Sequence, residues 1–229
     1  MTTGALAPTG LKTATFLDFD GTLADTNMVH VYAFYARHCG QRLGAMARTA
    51  KLVANIPAFY ALDAKSRMAF ARHLFGQYKG MSGDRLERLS KTLYEDVIKK
   101  RIHGYTRDFL EACRRKGDLV LVTGAPDFTV RHFAAEYGFD GVIANRLELD
   151  KNGIATGRMV PPEVFGPNKG QLMREYARKH SIGLDGSAAY ADSVSDASMF
   201  EVVGRAGVIN PDPTLAQLAK DYRWQILQL

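Results

Sequence analysis

The segment Thr13-Ala14-Thr15-Phe16-Leu17-Asp18-Phe19-Asp20-Gly21-Thr22 restricts the fold more than any other stretch of the chain. Its β-branched and apolar start reads as a buried strand, and the run stops abruptly in two carboxylates and a glycine. In a parallel α/β sheet, ligands bind outside the carboxyl ends of the strands, so Asp18 and Asp20 should emerge in a crevice. Side chains alternate along extended chain. The two acids therefore start out on one side while Phe19 turns back to the core. Two close carboxylates repel unless a cation lies between them, and hard oxygen donors at this spacing suit Mg²⁺. Gly21 allows a tight turn and a close approach of backbone to ligand.

The next stretch changes character. From Asn27 to about His103 apolar residues recur three or four apart, as in Val31, Phe34, Tyr35 or Leu86, Leu89, Leu93, and no strand pattern is seen. Breaks at Gly40, Ile56-Pro57 and Gly80 to Gly83 divide it into about four helices, with Ser82 capping the last. Strand and helix patterns then alternate: a helix at 105–116, a strand at 119–122, a helix at 128–137 and a strand at 141–144. Asn152-Gly153 between β-rich flanks signals a hairpin. A helix from about Lys169 to His180, strands at 188–191 and 206–209, a helix at 214–220 and an edge strand at 224–227 complete the chain.

The expected fold is α/β: a Rossmann-like, doubly wound parallel sheet with an all-helical cap inserted after the first strand. Residues 13–26 and 104–229 form the core, 27–103 the cap, and 1–12 a flexible start.

Further candidate residues fall at the ends of the later strands. Thr123-Gly124-Ala125-Pro126 follows the second core strand; the Thr123 hydroxyl can donate a hydrogen bond, and Gly124 lets main-chain N–H groups point inward. Lys169 opens a helix, against the macrodipole, which a nearby anion would explain. Asp192 and Asp196 follow the strand at 188–191. Taken alone, these residues read equally well as an ordinary turn, an exposed lysine and helix caps.

Together, in this order, they resemble the four motifs of the haloacid dehalogenase-like hydrolases, subfamily IB, the phosphoserine phosphatase-like branch. The match at Asp18-Phe19-Asp20-Gly21-Thr22 is almost without departure, and the helical insert stands at that branch's cap position. The resemblance implies that Asp18 is the nucleophile that becomes an aspartyl phosphate and Asp20 the general acid and base. It further implies that Thr123, Gly124 and Lys169 bind phosphate, that Asp18, the main-chain carbonyl of Asp20 and Asp192 hold Mg²⁺, and that Asp196 supports them. Asp20 favours a phosphatase, because dehalogenases of the superfamily lack that second acid. Where phosphoserine phosphatases carry a glutamate for the substrate's amino group, this chain has Asn27, a possible substrate contact but a weaker partner for an ammonium.

Composition narrows the partners. The net charge of +6 is uneven: residues 37–101 hold fourteen Lys or Arg against five acids, a net +9. Such a surface attracts anions, and the basic, amphipathic stretch 46–70 could lie on an anionic lipid surface. No nucleic-acid signature accompanies it. Cys39 and Cys113 stand far apart without metal or disulfide spacing and read as buried or partly buried free thiols. With neither a secretion signal nor a membrane-spanning run in view, the expectation is a cytoplasmic protein, with a peripheral membrane position as an alternative. The expected function is Mg²⁺-dependent hydrolysis of a small phosphate monoester. The alternatives are a lipid phosphate phosphatase, of lysophosphatidic acid or phosphatidylglycerophosphate type, and a non-catalytic binding protein of the same fold.

Overall fold

A computed structural model describes residues 10–229. Most of the start expected to be flexible, residues 1–9, lies outside the described residues; Lys12, just after it, bridges in parallel to Ile182. The chain then enters β1 (Ala14–Leu17), buried at every position. Four helices follow: α1 (Met28–His38), α2 (Arg42–Lys65), α3 (Arg67–Gly76) and α4 (Gly83–Leu93), the last continuing into a π-helical turn at Tyr94–Ile98. After α5 (Thr106–Arg114) come β2 (Asp118–Pro126), α6 (Asp127–Glu136) and β3 (Gly141–Asn145). The hairpin of β4 (Leu147–Leu149) and β5 (Ala155–Met159) precedes α7 (Pro167–His180) and β6 (Ala188–Ala191). The chain closes with α8 (Ala197–Phe200), β7 (Arg205–Ile209), α9 (Pro213–Asp221) and β8 (Gln225–Leu227).

Six strands pair in the order β3-β2-β1-β6-β7-β8, all parallel. The winding reverses at β1, which has β2 on one side and β6 on the other, so the carboxyl end of β1 opens into the switch-point crevice of an α/β sheet. Alternation decides the layers. Leu17, Leu119 and Leu121 pack on one face, while Phe16, Val120, Val122 and Ala189 pack on the other. Each large side chain so buried contributes about 1.5–3 kcal/mol. The first of these clusters runs on into the insert, through Tyr35, Phe59, Phe70, Phe75 and Tyr78.

The helical insert follows from its caps. Asn27 accepts from Val29 N and His30 N to start α1, and Arg37 and His38 complement its dipole at the other end. Ser82 caps α4 by accepting from Arg85 N, as expected. The break expected at Ile56-Pro57 does not occur: α2 runs through Pro57 to Lys65. Pro57 lies on the exposed side, where water can satisfy the carbonyl that its missing N–H leaves free. The helix ends instead at Ser66, which caps α3 through Ala69 N. Strand β2 also reaches further than expected, to Pro126, through an irregular register between Thr123 and Pro126.

Candidate active site

The end of β1 delivers Asp18 and Asp20 to one cavity of about 290 Å³, and Phe19 turns into the core with its ring 4.9 Å from that of Phe133. The other walls come from Met28, Arg67, Gly124, Phe165, Lys169, Asp192, Asp196 and Asp212. A larger open groove, about 860 Å³ between α6, β3 and α7, holds none of these acids.

Lys169, in the first turn of α7, is buried with its Nζ 2.6 Å from Asp18 Oδ1 and 2.5 Å from Asp196 Oδ1. Burial opposes its charge, but the two carboxylates win and raise its affinity for the proton. The arrangement at α7 is held by Ser198, whose hydroxyl donates to Gly166 O and accepts from Gly170 N. Asp18 is raised well above the usual carboxylate range, first by burial and then by Asp196 and Asp192, against the pull of Lys169. Asp192 is pushed up to about 6, again by burial first and with Asp196 adding to it, although Thr22 donates to it. Burial also raises Asp20, with the Thr26 hydroxyl at 2.7 Å, Arg67, Lys169 and His30 all acting in the opposite direction.

One oxygen from each of Asp18, Asp192 and Asp196 lies within 4.8 Å of the other two. Three buried or half-buried carboxylates against one ammonium leave an excess of negative charge, and an all-oxygen donor set of this kind suits Mg²⁺. The residues present therefore fit that ion. Thr22 ties the cluster together, donating to Asp192 Oδ1 at 2.8 Å and lying 3.4 Å from Asp18 Oδ2. Gly21 has a positive φ of 87°, and a Cβ there would collide with the Asp192 carboxylate.

Of the residues expected from sequence, Asp18, Asp20, Gly124, Lys169, Asp192 and Asp196 line this one cavity. Thr123 is fully buried behind it, its Oγ1 accepting from Ala125 N at 3.0 Å. Gly124 is held by Asn145, whose amide donates to its carbonyl at 2.7 Å. Asn27 is elsewhere: it caps α1 and borders a second cleft of about 270 Å³. Arg67 lines both cavities and was not singled out by the sequence, where it is one base among fourteen. Nor were Thr22, Thr26 and Asp212. Asp212 accepts from Val194 N and Leu215 N, steadying the loop that carries Asp192. Thr22 was legible as part of the Asp-Gly-Thr run; the others carry no local signal.

A family model described as haloacid dehalogenase-like hydrolase matches residues 15–201. The chain belongs to that family. Among curated relatives, the phosphoserine phosphatase SerB1 of Mycobacterium tuberculosis is 29% identical over 230 residues, covering 96% of this chain and 71% of that protein. Among solved structures, a protein of unknown function from Bordetella pertussis superposes with a TM-score of 0.79 at 23% identity, covering 95% of this chain and 99% of that one. A phospho-aspartyl intermediate analogue of a phosphoserine phosphatase gives 0.66 at 21% identity, over 95% and 93% of the two chains. Both structures are alike in fold. Family and relatives together make this chain a phosphatase.

Proposed function

We propose that the chain hydrolyses a phosphate monoester with Mg²⁺ through an aspartyl phosphate on Asp18. The observation that carries this reading is the buried Asp18–Lys169–Asp196 cluster at the carboxyl end of β1, with Asp20 and Asp192 beside it. The phosphoryl group enters between Asp18, Lys169 and the Gly124 backbone, with the Thr123 hydroxyl behind. Lys169 pulls Asp18 toward the carboxylate against its burial, and an Asp18 oxygen forms a bond to phosphorus as the bond to the leaving oxygen breaks. Asp20, whose burial favours the protonated form, gives its proton to that oxygen. It then takes a proton from the water that attacks phosphorus and frees Asp18 with inorganic phosphate. Mg²⁺, held by Asp18, Asp192 and the main-chain carbonyl of Asp20, would supply positive charge against the phosphoryl oxygens. Residues 27–103 act as the cap that excludes bulk water.

The test is phosphate release with Mg²⁺ and after chelation, beside Asp18→Asn, and trapping of a fluoroberyllate adduct at Asp18. Turnover that survives chelation or Asp18→Asn would end this reading. A non-catalytic binding protein would release no phosphate from any ester.

A second reading concerns location, and the outer face of α2 favours it. Leu43, Met46, Val53 and Tyr60, three to seven residues apart, are 83%, 70%, 60% and 76% exposed. No acid occurs from Arg42 to Leu62, and the insert around the helix carries the positive charge. Apolar side chains within a cationic surface match an anionic lipid leaflet, whereas a second copy of the same basic surface would be repelled. Co-sedimentation with phosphatidylglycerol vesicles, lost in Val53→Asp and weakened by salt, is expected. Equal recovery with neutral vesicles or none at all would rule it out. Among the described residues no helix is long and apolar enough to cross a membrane.

A further inference from the structure

The cleft beside the acidic cavity is unlike it in chemistry. Val29 and His30 of α1, Ile56, Phe59, Tyr60 and Asp63 of α2, and Phe70 of α3 line it, with Asn27 and Arg67 at its edge. Its volume of about 270 Å³ exceeds the roughly 150 Å³ of an apolar cavity that accepts benzene. Arg67 belongs to both cavities, so the two adjoin. The side on which they meet is the side of Asp20: the Thr26 hydroxyl donates to its carboxylate at 2.7 Å, and the residues that follow Thr26, namely Asn27, Val29 and His30, belong to the cleft wall. A leaving oxygen protonated by Asp20 therefore has its carbon substituent directed toward the cleft.

The cleft offers little to the ammonium group of an amino acid. An ammonium is held most strongly by a free anion or a free carbonyl oxygen, and only weakly by an aromatic face. Asp63, among the described residues the one carboxylate on its wall, is engaged by Arg67 at 3.0 and 3.1 Å. The amide oxygen of Asn27 is committed to two main-chain N–H groups of α1. Apart from His30 and the Arg67–Asp63 pair, what remains is aliphatic and aromatic: Val29, Ile56, Phe59, Tyr60 and Phe70.

We infer that this cleft is the leaving-group subsite and that the substrate is a phosphate monoester of an apolar alcohol, aryl or alkyl, rather than of serine. This rests on the phosphatase reading for its biological meaning, but the subsite itself can be tested without turnover. Hexylphosphonate, naphthylmethylphosphonate and the phosphonate analogue of phosphoserine cannot be hydrolysed at the carbon–phosphorus bond. Calorimetric titration of the Mg²⁺-loaded protein with the three gives their affinities directly. At least one apolar phosphonate is expected to bind about tenfold or more tightly than the serine analogue, because its chain or ring leaves water. The alkyl and aryl arms then tell which kind of alcohol the cleft prefers.

Ile56 and Tyr60 are 40% and 76% exposed, so polar residues are tolerated there by the fold. Ile56→Asp and Tyr60→Ser should remove most of the apolar preference, and Ile56→Leu should keep it. A serine analogue that binds as tightly as both apolar compounds, or a preference that survives Ile56→Asp and Tyr60→Ser, would overturn the assignment. If the apolar phosphonates bind as expected and no phosphate ester is turned over, the subsite stands and the phosphatase reading falls.

Discussion

At the scale of single residues, Lys169 is the side chain whose removal has the widest effect. It neutralises Asp18 and Asp196, each almost fully buried. Deleting one partner of a buried ionic cluster leaves charge without compensation and typically costs 3–5 kcal/mol, so Lys169→Met should destabilise the metal-free protein by about 3 kcal/mol. Denaturant unfolding with and without Mg²⁺ measures this; an unchanged midpoint would mean that Lys169 balances nothing. The acids themselves set a pH dependence. Asp192 holds its proton more tightly folded, at about 6, than in an open chain near 3.8. A carboxyl raised in the folded state contributes stability at low pH and loses it as pH rises through that window. The metal-free protein is therefore expected to melt at a lower temperature at about pH 7.5 than at about pH 5. Asp192→Asn should flatten that slope and shrink the stabilisation that Mg²⁺ gives. A melting temperature that climbs with pH in the wild type would contradict this balance of charges.

At the scale of elements, the informative departures are those where a local rule met a tertiary context. Pro57 removes one hydrogen bond inside α2 and normally costs about 3 kcal/mol in a helix interior. The helix persists because Leu52 and Phe59, on its inner side, are buried against the rest of the insert. Pro57→Ala restores the bond at an exposed position and should stabilise the protein by about 1–3 kcal/mol in denaturant titration. Loss of stability in that variant would mean that the proline shapes a needed bend. Ser82, by contrast, caps α4 as the sequence suggests, and the Asn-Gly signal lies between β4 and β5; Asn27 and Ser66 accept main-chain N–H groups at two further helix starts. The same capping role commits the amide oxygen of Asn27, which borders the second cleft, to the main chain of α1.

At the scale of the whole molecule, the insert and the sheet share apolar packing. The cluster that begins with Leu17 and Leu121 under the sheet continues through Phe128 to Tyr35 and Tyr78, with ring centroids 5.5 and 6.3 Å from that of Phe128. Continuity of this kind couples the two parts in unfolding. The single tryptophan, Trp224, sits far from the insert, packed at 4.7 Å on Phe200 in the other cluster. Its fluorescence and the far-ultraviolet circular dichroism of the insert's helices should report one denaturant midpoint. Two separated midpoints would mean that the insert folds on its own.

The carboxylates at the end of β1 and the alternation of helix and strand were decided by local sequence, because periodicity, caps and the Asp18-to-Thr22 run act over a few residues, whereas β2 runs past its local signal to Pro126. The parallel six-stranded order, Lys169 between Asp18 and Asp196, and Arg67 at the meeting of two cavities were decided only by tertiary structure. Lys169 is 151 positions from Asp18, and Arg67 reaches the site from a helix with no motif of its own. Contacts over such separations depend on how the sheet and helices pack, and no window of neighbouring residues contains that information.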